Sequence, residues 1–131
     1  MDDVATRASL GTRYSPVAVY YEDADTVEYI RQDVPCVNRR VDGFLTLTLD
    51  IESRKAIGFR LKGFKNFYLH HLRETAEDDR ERFLKLVSVI ETATKLFGNQ
   101  VFEDDRRAAY EQARQIASED NASLHELPNV A

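Results

Sequence analysis

In the run Phe44-Leu45-Thr46-Leu47-Thr48-Leu49-Asp50-Ile51, apolar and polar residues alternate, and this stretch restricts the fold more than any other. Successive side chains of a strand point to opposite faces. Leu45, Leu47, Leu49 and Ile51 therefore share one face, and Phe44, Thr46, Thr48 and Asp50 the other. Residues 55–61 alternate again, with Ile57, Phe59 and Leu61 on one side, and Glu52-Ser53-Arg54 supplies the turn between. The pattern predicts a hairpin whose leucine face needs a cover.

Upstream, Val17-Ala-Val-Tyr-Tyr21 is β-branched and aromatic, which suits a strand. Glu22-Asp23-Ala24-Asp25 interrupts it, since short acidic side chains bond to nearby backbone and favour turns. Residues 26–31 read as the returning strand and residues 36–41, after Val34-Pro35, as a short third one. From Gly63 the period becomes helical, with Phe64, Phe67, Tyr68 and Leu72 three or four apart. A second helix is expected over 76–97, opened by Glu77, Asp78 and Asp79 and stopped by Gly98-Asn99, and a third over 102–118.

Strands followed by helices argue an α+β fold. The expectation is an antiparallel sheet of about five short strands over 17–62, with two or three helices (64–73, 76–97 and 102–118) packed on one face. Its core would be Leu45, Leu47, Leu49, Ile57, Phe59 and Leu61 against Phe83, Leu86, Val87 and Ile90. The 76–97 segment is apolar around more than half its circumference, which leaves Leu84, Val89 and Leu96 as candidate contacts of a homodimer. The rival cover for them is the N-terminal arm or a C-terminal tail carrying Leu124, Leu127 and Val130. Residues 1–15 read as a loose arm, 16–120 as one domain and 121–131 as an irregular tail.

The region from Tyr20 to Leu61 resembles a family of small bacterial domains of unknown function. Its pattern runs through Tyr21-Glu22-Asp23-Ala24-Asp25, Tyr29-Ile30-Arg31, Leu49-Asp50-Ile51-Glu52 and Ala56-Ile57-Gly58-Phe59. The chain departs from it at Arg60, where an acidic or small residue is usual, and in its long helical extension. The resemblance covers about a third of the chain. It implies a compact hairpin unit with helical additions, and no activity.

With 131 residues, the chain is the size of one domain of roughly 100–150 residues. No apolar run approaches the roughly 18 residues that span a bilayer, and no secretory signal is legible. One cysteine, Cys36, leaves no internal disulfide, so a cytoplasmic setting is the expectation. The net charge of −5 conceals a pattern: residues 1–30 carry −4, residues 31–73 carry +5 and residues 74–131 carry −6. A basic middle between acidic ends can attract an anion or pair with the ends themselves.

Chemistry-bearing residues are sparse. Asp23, Asp25 and Asp50 would meet if the first hairpin lay beside the fourth strand, and with His70, His71 and Glu74 they are the candidate ligand or metal residues. Arg39, Arg40, Arg60, Lys62 and Lys65 are the candidate anion-binding set, interleaved with Phe44, Phe64, Phe67 and Tyr68. No phosphate-binding loop, dinucleotide fingerprint or nucleophile elbow occurs, so no catalytic residue and no cofactor is expected. The leading reading is a non-catalytic protein that acts by protein–protein binding, as a homodimer and with a possible second protein. A small enzyme or ligand-binding protein using the Asp and His residues comes second. Nucleic-acid binding through the basic middle comes third, against the negative net charge.

Overall fold

The computed structural model describes residues 14–72, 84–98 and 104–125. Its sheet comprises β1 (Val19–Tyr21), β2 (Thr26–Ile30), β3 (Cys36–Arg40), β4 (Leu45–Asp50) and β5 (Ala56–Lys62) in the spatial order β1-β2-β5-β4-β3. All neighbours are antiparallel. The chain makes the β1–β2 hairpin, crosses to the far edge for β3, and returns through two more hairpins so that β5 closes the gap between β4 and β2. Gly58 permits that closure, because a Cβ there would lie 2.2 Å from the Tyr29 carbonyl oxygen on β2.

Gly63, at φ 67, turns the chain out of β5 into α1 (Phe64–Phe67), which continues as a π-helical turn over Tyr68–Leu72. The short strand β6 (Leu84–Lys85) leads directly into α2 (Leu86–Ala93) and a second π-helical turn, Thr94–Gly98. Then come α3 (Asp104–Glu119) and the short strand β7 (Ser123–Leu124), which pairs with β6. The fold is therefore α+β, as the change of period at Gly63 predicts. Helix α3 packs on β4 and β5, and α2 packs on α3.

The core lies between sheet and helices. Val27, Tyr29, Leu45, Leu47, Phe59 and Leu61 meet Leu86, Val89, Ile90, Tyr110 and Ala113. Phe44 joins it with Phe67 and Phe97, ring centroids 4.6 and 5.5 Å away.

Several expectations change. The helix expected over 76–97 does not run through Leu84–Lys85, which are extended; its expected start, with Phe83, lies outside the described residues. The tail expected to be irregular forms β7. Register along β4–β5 shifts so that Thr48 faces Gly58 but Leu49 faces Ala56. Ile57, the extra residue of that bulge, is buried as expected, but Ala56 rather than Ile57 stands beside Leu49 against the main core. Leu49 and Val87 are only partly buried.

Candidate functional site

Arg31, Arg39, Arg54 and Lys55 line one cleft of about 430 Å³ where the end of the sheet meets α3. Leu49, Ala56 and Ile116 contribute apolar walls, and Gln112, Gln115 and Glu119 stand on the helix side. Arg39 reaches the cleft because it faces Leu47 in the β3–β4 register and so lies on the helix side of the sheet. Arg54 and Lys55 come from the β4–β5 turn. There the Asp50 carboxylate accepts from the Glu52 N–H at 2.8 Å, and the Arg54 N–H donates to the Asp50 carbonyl at 2.8 Å. That geometry puts Arg54 at φ 63, a left-handed conformation that favours glycine or asparagine.

The four cations are not equivalent. Arg31 is held by α3: its Nη2 donates to Asp120 at 2.7 Å and to Glu119 at 3.1 Å, and its Nε donates to Asp120 at 3.0 Å. Tyr29 Oη donates to the same Asp120 carboxylate at 2.7 Å. Burial alone would raise the Asp120 pKa, but the hydrogen bonds from Arg31 and Tyr29 outweigh it and hold the carboxyl below its ordinary range. Hydrogen bonds from Gln115 and Arg31 likewise lower that of Glu119. Arg39, Arg54 and Lys55, by contrast, form no ion pair among the described residues. The cleft thus offers, among the described residues, three cations without ion pairs beside apolar and amide groups, which is chemistry for an anion.

The other expected basic residues lie elsewhere. Arg60 and Lys62 line a cleft of about 630 Å³ with Tyr21, Asp23, Thr26 and Glu28 on the opposite face of the sheet, and Arg60 is paired with Glu28 at 2.8 Å. Arg40 donates to the Asp42 carbonyl at 3.3 Å. Lys65 is the second residue of α1, where its backbone N–H donates to Asp25 at 2.8 Å. Arg39 is thus the one member of the expected anion-binding set in the cationic cleft. Arg54 and Lys55 carried a readable signal, two cations in a tight turn; Arg31, Gln112 and Gln115 carried none without the packing of α3.

The expected acidic and histidine residues do not converge. Asp25 lies at the Lys62–Gly63 end of the sheet, where it accepts from Tyr20 Oη at 2.6 Å. Asp50 caps the turn at the other end. Asp23 borders the second cleft. His70 Nδ1 lies 2.9 Å from the Asn66 carbonyl, and the His71 ring lies 5.1 Å from Phe67. Glu74 lies outside the described residues. Among the described residues no three of His, Cys, Asp or Glu come together to hold a metal ion.

Of the residues expected at a dimer contact, Leu84 and Val89 are buried within one chain and Leu96 packs against the core. Leu84 faces Leu124, which is fully buried, so the tail covers Leu84 within one chain. Leu127 and Val130 lie outside the described residues. Among the described residues no helix is long and apolar enough to cross a membrane. Compared with known protein families, curated proteins and solved structures, the chain matches none.

Proposed function

We propose that this is a non-catalytic binding protein that engages an acidic partner protein through the cationic cleft. The observation that carries the reading is the set of three cations, Arg39, Arg54 and Lys55, without ion pairs among the described residues, beside Leu49, Ala56 and Ile116. Surface cations that are paired contribute little to attraction at a distance, whereas unpaired ones steer an anionic partner and set its orientation. An acidic protein segment suits the cleft better than a nucleic acid. Among the described residues its lining has no aromatic side chain on which a base could stack.

The test is calorimetric titration of the full chain with a glutamate-rich peptide, and with a single-stranded oligonucleotide. Peptide binding that weakens with added salt, and that falls about tenfold or more in an Arg39→Glu/Lys55→Glu variant, supports the reading. Tighter binding of the oligonucleotide than of the peptide, or peptide binding indifferent to the two substitutions, overturns it.

A further inference from the structure

We propose that β3 is a receiving edge, and that the acidic partner binds as an extended strand added to the sheet alongside it. This rests on the acidic-partner reading above and assigns the partner's conformation and position.

Among the described residues, strand β3 ends the sheet and has β4 on one side only. In an antiparallel pair, residues alternate between those bonded to the neighbour and those whose N–H and C=O point away from it. The phase is fixed at both ends of β3. The Val41 N–H donates to the Leu45 carbonyl at 2.9 Å, and the Ile51 N–H donates to the Pro35 carbonyl at 3.1 Å. Val37 and Arg39 therefore bond to β4, and the backbone groups of Cys36, Asn38 and Arg40 point outward. These three residues are exposed. The edge thus presents three donors and three acceptors at the spacing of a strand.

The side chains select the occupant. Edge strands are ordinarily protected by charge, which repels a second copy. Two copies of β3 paired about Asn38 would bring Arg39 and Arg40 of each chain to one seam, with Arg54 and Lys55 beside it and no carboxylate in β3 to offset them. The same charges favour a strand that carries acids. Along such a strand, alternate side chains would face the helix side, where Arg39, Arg54 and Lys55 line the cleft. The chemistry fits an extended segment with a carboxylate at every second residue.

Hydrogen exchange of the full chain, read by NMR, tests this with a peptide that alternates glutamate and valine. The expected result is slowed exchange at the amides of Cys36, Asn38 and Arg40. Methylating alternate backbone nitrogens of the peptide, which removes strand pairing and keeps the charge, should then weaken binding about tenfold or more. A peptide that binds without protecting those three amides, or equally well when methylated, overturns the strand and leaves the cleft reading standing. A peptide that does not bind at all overturns the strand as well. Pyrophosphate then tests the cleft separately, by its shifts of the Arg39, Arg54 and Lys55 resonances. A lysine–valine peptide that binds as tightly as the acidic one also overturns the proposal.

Discussion

Arg54 holds its charge at a position where its backbone is disfavoured. At φ 63 a residue with a Cβ is strained by about 1–2 kcal/mol, whereas glycine is at ease there and loses some chain entropy instead. Strain kept in a fold often marks a side chain with a use. Arg54→Gly should therefore leave stability unchanged or raise it by about 1 kcal/mol in urea melts, while weakening binding of an acidic peptide. A variant that is both less stable and equally able to bind would contradict this assignment. Asp120 makes the opposite contribution, to stability rather than binding. Its folded-state pKa is depressed by Arg31 and Tyr29, so its stabilisation is complete above the ordinary Asp range and is lost as pH falls through the folded value. Asp120→Asn should cost about 1–3 kcal/mol at neutral pH. Melts repeated on the acid side should show the gap narrowing below about pH 4. A gap that stays constant from neutral to acid would mean that charge is not the cause.

Elements marked by a sustained period, a β-branched run or a proline break were legible from sequence, and the two-residue strands β6 and β7 were not. Strands β4 and β5 alternate over six and seven residues, so their existence and pairing follow from the pattern, though the bulge at Ile57 leaves no mark in it. Helix α3 keeps Ala109, Ala113, Ile116 and Ala117 on one face over its sixteen residues, and it appears close to where the sequence places it. Strands β6 and β7 have two residues each, too few for any period. Leu84 also satisfies helical spacing with the apolar residues after it, which is why the sequence alone extends that helix through it. The cleft was half legible for the same reason: Arg39 and the Arg54–Lys55 turn are local features, but their meeting with α3 depends on packing between distant segments. The β6–β7 pair is more than a surface detail, because Leu124 is fully buried against Leu84 and the core. Leu124→Ala should cost about 2–5 kcal/mol by chemical denaturation. A loss below about 0.5 kcal/mol, the usual range for surface substitutions, would show that β7 does not close the core.

At the scale of the molecule, tail closure changes what the chain presents to a second copy. Among the described residues the exposed large apolar side chains are Tyr14, Val17, Tyr21 and Ile51. Tyr14 and Val17 lead into β1, where Tyr21 lies, and Ile51 follows β4 beside Pro35 on the β3 side, so they belong to opposite edges of the sheet. A specific interface commonly needs about 1,200–2,000 Å² of buried surface around a contiguous apolar centre, and residues divided between two edges do not supply one. Of the two sheet edges among the described residues, the β3 edge is one route to self-association, and its arginines oppose it. Light scattering after gel filtration should therefore give the mass of one chain, 15.1 kDa, at micromolar concentration. Lowering the salt should not raise that mass, since weaker screening strengthens repulsion between like-charged edges. A doubled mass that persists on dilution would instead require an interface built without Leu84 and Val89. If that mass also fell on reversing Arg39, the β3 edge would be a site of self-pairing, and the case for an acidic partner strand would fail with it.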